Sequence, residues 1–99
     1  MNIERKETET ETTFIITDEL FTHNINFLTE ELTLFAKHNT KDAIIDLTSV
    51  QKIDSMSIAA LIRFKNMLAE YGRTMHLVNP NEPVLRVLEL SGLDKFLMD

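Results

Sequence analysis

The stretch Ala43-Ile44-Ile45-Asp46-Leu47, followed a few residues later by Ile53-Asp54-Ser55-Met56-Ser57-Ile58-Ala59-Ala60-Leu61, decides how this chain is read. The first run is short, apolar and rich in β-branched residues. That pattern suits a strand buried on both faces of a mostly parallel sheet. The second starts on two polar residues of the helix-capping type and then turns apolar. Leu61, Phe64, Leu68 and Tyr71 recur at spacings of three, four and three, so a helix is predicted over about Ser55–Tyr71, with Gly72 as its left-handed stop. A strand, a short loop and a helix in that order form the repeating unit of an α/β layer.

The same unit recurs outward from this centre. Upstream, Phe14-Ile15-Ile16 marks a strand over Thr12–Thr17, and Thr22 can cap a helix over His23–Lys37 whose inner face is Ile25, Leu28, Leu32 and Phe35. Phe27 and Leu34 fall off that stripe, at its margin or as an exposed patch. Ile3–Glu7 reads as a first strand, and residues 1–11 as an edge strand or a partly ordered N-terminus. The connecting turn lacks Gly, Pro and Asn, the usual hairpin residues. Downstream, Met75–Val78 is a strand, Pro83 opens a helix over Glu82–Leu90, and Leu93, Phe96 and Leu97 predict a last helical turn that closes the core. The order is β-β-α-β-α-β-α-α. It predicts one α/β domain over residues 1–99: a mixed sheet of four or five strands packed with about four helices.

Composition removes whole classes of function. Without cysteine there are no disulfides, thiolate metal sites or cysteine nucleophiles. His23, His38 and His76 lie on separate elements without metal-ligand spacing, so no metal is expected. Two glycines, Gly72 and Gly92, cannot write a phosphate-cradling loop, so no nucleotide cofactor is expected. A net charge of −6 with scattered basic residues argues against nucleic acid as a partner. No run reaches the ~18 apolar residues of a membrane span, and the first residues resemble no signal peptide, so a cytoplasmic protein without membrane insertion is expected. Asp46 and Asp54 can approach each other at element ends, yet no nucleophile–base–orienter set accompanies them, and no catalytic residue is assigned.

Asp54-Ser55 remains, with two readings. One is a helix cap and nothing more. The other is a modification site. A hydroxyl at a helix N-terminus faces the positive end of the helix dipole, and phosphate there adds about −1.5 to −2 charges in view of a docked partner.

Ile53–Leu61 resembles the D-S-[ST]-G-[LI]-[GA]-x-L signature of STAS domains of the anti-sigma factor antagonist type. Ala43–Leu47 lies where that family has its preceding strand. Leu77-Val78-Asn79 and Val84–Leu93 are similar to its later strand and helix, so the likeness covers about residues 12–98. The resemblance implies phosphorylation of Ser55 by the anti-sigma factor, a GHKL-type serine kinase, which the unphosphorylated antagonist binds. It also implies release on phosphorylation and resetting by a PP2C-type phosphatase, with no enzyme activity in this chain. Asp54, Ser55, Met56, Ser57, Ala59 and Phe21 are the expected partner-binding positions. Met56 stands at the second Ser/Thr, Ser57 where Gly is usual, Ala59 where Gly is frequent, and Phe21 where an acidic helper of the kinase interface would sit. Those differences keep a second reading open: a non-phosphorylated STAS scaffold in a signalling complex or a lipid-transport ABC system.

Overall fold

Residues 3–17 and 25–99 are described by the computed structural model. Strands β1 (Ile3–Glu7) and β2 (Glu11–Ile16) form an antiparallel hairpin. Helix α1 (Ile25–His38) leads to β3 (Asp42–Asp46), α2 (Ser55–Glu70) to β4 (Met75–Val78), and α3 (Glu82–Leu90) with α4 (Asp94–Met98) ends the chain. The sheet order is β1-β2-β3-β4, with β2, β3 and β4 mutually parallel. This is the mixed sheet with four helices that the sequence predicts, and it has four strands. Thr22 and His23, placed by sequence at the start of the first helix, lie outside the described residues.

The hairpin turns without its usual residues because a threonine substitutes for them. Thr8 Oγ1 accepts hydrogen bonds from the backbone N–H of Thr10 and Glu11 at 3.3 and 3.0 Å, and Thr8 N–H donates to the Glu11 carbonyl at 2.9 Å.

Both parallel crossovers advance across the sheet in one direction, so right-handed connections put α1 and α2 on the same face. The burial pattern agrees. Phe14, Ile16, Ala43, Ile45, Met75 and Leu77 point into the core, while Ile15, Ile44, Asp46, His76 and Val78 alternate onto a half-covered face. The expectation that Ala43–Leu47 is buried on both faces is therefore corrected: Ala43, Ile45 and Leu47 are sealed, while Ile44 and Asp46 on the other side are only half-buried. Beneath α1 and α2 the core closes around Phe35, which meets Phe14 edge-on at 5.0 Å between ring centres.

Helix ends explain two further departures. Gly72 takes φ +71°, its N–H donates to the Ala69 carbonyl, and Arg73 N–H donates to that of Leu68. The chain reverses one residue earlier than the apolar spacing implies. Tyr71 is thus 58% exposed and not part of the inner stripe. Gly92 repeats the device after α3 at φ +72°, with Leu93 N–H donating to the Leu88 carbonyl. In α4 only Leu97 is sealed, with Leu93 and Met98 packed beside it, whereas Phe96 points outward.

Two cations hold helix ends in place. Arg73 reaches from just before β4 to the end of α1, donating to the carbonyls of Ala36 (2.8 Å), Phe35 (3.4 Å) and Lys41 (2.9 Å), with its guanidinium stacked over the Phe35 ring at 5.1 Å from the ring centre. Lys65 of α2 donates to the carbonyls of Phe96 and Asp99 at the end of α4. Burial lowers the affinity of both cations for their protons.

Candidate functional site

The site grows out of the loop between β3 and α2, at the carboxyl end of the parallel strands, where α/β sheets present their functional loops. Leu47 and Val50 are fully buried and Ile53 is nearly so, which pins the loop to the core at three points. Asp46 Oδ1 then closes a local turn, accepting from Thr48 N–H at 2.9 Å and Thr48 Oγ1 at 2.6 Å. Burial pushes the Asp46 carboxyl up, but the Thr48 bonds, a bond from Asn79 and the Lys6 charge outweigh it and hold the group below its ordinary value.

Asn81 clamps the loop from the other side. Its Nδ2 donates to the carbonyls of Thr48 and Val50, both at 2.9 Å. The sequence reading missed this residue. Its only signal was an Asn two positions before Pro83 at a helix start, which reads as an N-cap; in fact its side chain makes no cap bond and serves the neighbouring loop.

Asp54 ends the loop in extended conformation (φ −105°, ψ 172°). Its Oδ1 accepts from Ser57 N–H at 2.9 Å and its carbonyl from Ile58 N–H at 3.1 Å, so Asp54 is the N-cap of α2. The capping reading thus falls on Asp54. Ser55 is the first helical residue, exposed, with its hydroxyl not used in the cap. Met56 beside it is 53% exposed, and Ala59, one turn on, is half-buried.

Ser57 departs from the expectation. It is fully buried, and its Oγ has no hydrogen-bond partner among the described residues. The side chain at N3 turns back beneath the first turn toward the core, so Ser57 cannot touch a docked partner and is withdrawn from the contact positions. Phe21, the remaining expected contact, lies outside the described residues. The geometry therefore brings Asp54, Ser55, Met56 and Ala59 to one end and flank of α2 and takes Ser57 inside. The histidines and carboxylates form no metal-holding cluster among the described residues. None of the described helices is long and apolar enough to cross a membrane.

Comparison with known proteins gives a consistent picture. The family model described as the STAS domain matches residues 2–98. Over 51 residues the chain is 37% identical to a candidate anti-sigma factor antagonist of Thermotoga maritima, a stretch covering 52% of this chain and 45% of that protein. The chain thus spans a little under half the length of the curated relatives it matches. The crystal structure of a candidate anti-sigma factor antagonist of Thermotoga maritima is 26% identical, with a TM-score of 0.84 over 97% of this chain and 83% of that one. The anti-sigma factor antagonist SpoIIAA in its unphosphorylated form superposes at a TM-score of 0.85, covering 99% of this chain and 87% of that one at 18% identity, which speaks for the fold. SpoIIAA of Bacillus in its phosphorylated form gives 0.75 at 17% identity, covering 99% and 89%. With a family model matched from residue 2 to residue 98 and a four-stranded mixed sheet laid out as in SpoIIAA, this chain belongs to the STAS domain family.

Proposed function

We propose that this chain is an anti-sigma factor antagonist working by partner switching in the cytoplasm. Unphosphorylated, it binds an anti-sigma factor that is a GHKL-type serine kinase. The kinase transfers the γ-phosphoryl group of ATP to Ser55 Oγ, ADP leaves, and the complex dissociates. A PP2C-type phosphatase hydrolyses the ester and restores binding. The chain performs no reaction of its own and needs no cofactor.

One observation carries this reading: Ser55 is exposed at the first position of α2 while Asp54 alone supplies the cap. Phosphate on Ser55 leaves the cap bond intact. For each negative charge added, the helix N-terminus contributes about 0.3–1 kcal/mol in favour and the neighbouring Asp54 about 1 kcal/mol or less against in water. These effects nearly cancel, so the fold is kept and the new charge is felt by the docked partner. The exposed Met56 supports contact on the same patch, since an unbranched thioether packs against varied apolar surfaces.

The test is reconstitution with the cognate kinase and ATP. Intact-mass analysis is expected to find a single phosphoryl group, absent from Ser55→Ala and removed by a PP2C-type phosphatase. Kinase binding unchanged in Ser55→Asp overturns the switch. The second reading is a non-phosphorylated scaffold subunit, and a methionine in place of the motif's second hydroxyl favours it. Recovery of an ABC-transporter ATPase, and of no serine kinase, selects that reading.

A further inference from the structure

Helices α1 and α2 pack side by side and leave a groove between them. Its floor is Leu32, Ala60 and Phe64, all buried. Its rim is half-buried Thr29, Thr33 and Met67, together with exposed Arg63. The volume is about 70 Å³. An apolar cavity of ~150 Å³ holds a benzene ring, so this one admits the end of a single aliphatic side chain.

Arg63 stands apart from the other arginines. Arg5 pairs with Glu31 at 2.7 Å, Arg86 with Glu82 at 3.4 Å, and Arg73 donates to backbone carbonyls. Arg63 engages no acid or carbonyl among the described residues, although the chain carries an excess of acid. Its guanidinium fork matches a carboxylate arriving from outside.

The groove is also continuous with the Ser55 patch. Met56, Ala60, Arg63 and Met67 follow one another at spacings of four, three and four on one face of α2. At 1.5 Å per residue they extend over roughly 16 Å, about three helical turns.

We propose that this face receives an amphipathic helix of the protein partner that reads Ser55. An aliphatic side chain enters the groove, an Asp or Glu one turn away pairs with Arg63, and Met56 packs against the next turn. The inference rests on the antagonist reading and deepens it. Arg63 lies eight residues from Ser55, roughly 12 Å along the helix and beyond the ~8 Å screening length of physiological salt. The groove therefore supplies affinity, and the serine supplies the switch.

The experiment is calorimetric titration of the kinase that modifies Ser55 with the unphosphorylated wild type and with Arg63→Glu, Thr33→Trp and, as a control on α3, Arg86→Glu. Each variant's fold is checked by its amide NMR spectrum. Arg63→Glu and the groove-filling Thr33→Trp are expected to bind at least tenfold more weakly, and Arg86→Glu within twofold of wild type. If Thr33→Trp does not fold, Arg63→Glu alone decides. Wild-type affinity in the folded groove variants overturns the groove and leaves the antagonist reading standing. If the wild type binds no such kinase, that reading falls, and the groove is tested with 4-methylpentanoate, a branched aliphatic carboxylate, by NMR. Shifts at Thr29, Thr33 and Met67 that vanish in Arg63→Glu uphold its recognition chemistry, and their absence overturns it.

Discussion

Replacing Asp54 separates its structural role, capping α2, from the recognition role proposed for the same residue. Asp54→Ala removes the acceptor that takes Ser57 N–H at 2.9 Å and the negative charge at the start of α2. Loss of an N-cap costs about 1 kcal/mol, and loss of a charge at the positive end of the dipole a further ~0.5 kcal/mol. For a domain of this size about 1.5 kcal/mol lowers Tm by roughly 6–12 °C. Asp54→Asn keeps a good capping acceptor and loses the charge at the helix start, so its Tm is expected to fall by about 2–4 °C. Both are read by thermal denaturation followed by circular dichroism at pH 7. Phosphorylation of Asp54→Asn by the kinase, measured alongside, then reports the charge in kinase contact on a nearly intact fold. An Asp54→Ala protein melting within about 2 °C of wild type refutes the capping argument. Equal losses in Ala and Asn would show that the charge, and not the acceptor, is what the helix uses.

Other substitutions probe the rest of the structure. Ser57→Ala deletes a buried hydroxyl that has no partner among the described residues, so urea unfolding is expected to show equal or greater stability, by up to about 1 kcal/mol; a loss above that implies a bond the hydroxyl makes in solution. Arg73→Met strips the end of α1 of its donors and should cost about 2 kcal/mol, with Arg73→Lys recovering less than half because an ammonium cannot span the same carbonyls. Lys65→Met keeps the apolar stem and frees the end of α4, so hydrogen exchange over residues 94–98 should accelerate while that of β3 is unchanged. The depressed Asp46 carboxyl stabilises the fold above its ordinary value of 3.8, and that contribution is lost as pH falls through the lower folded value. Acid unfolding should therefore be shallower in Thr48→Ala, which removes the 2.6 Å hydroxyl bond; an unchanged acid limb would contradict the assignment.

The strand and helix order was legible because burial imposes periods that side chains cannot hide. Ile25, Leu28, Leu32 and Phe35 repeat every three or four positions and lie against the sheet as read. Asp54-Ser55 was legible as a helix start for the same local reason, since caps are chosen by chemistry within one turn. What could not be read was set by distant partners. The one-sided cover of β3 depends on which way two crossovers turn. The outward swing of Tyr71 depends on the left-handed turn at Gly72. The burial of Ser57 depends on how the first turn of α2 sits on the core, and a small polar residue in a partner-contact motif gives no local sign of it. Asn81 serves a loop more than thirty positions upstream, a pairing that no single-sequence pattern encodes.

The parallel ladders have a kinetic consequence. Glu11 pairs with Asp42, and Ala43 with Met75, so each ladder joins segments some thirty residues apart, whereas β1 and β2 meet across a tight turn. Closing such long loops before any contact rewards them slows assembly toward the millisecond range and beyond. The hairpin can form within microseconds, but the surface around Ser55 comes into being only when β3 has docked and Asn81, beyond β4, has gripped its loop. A nascent or partly folded chain therefore offers the serine in no defined shape, and under the proposed switch a partner reads only molecules that have completed the slowest pairing.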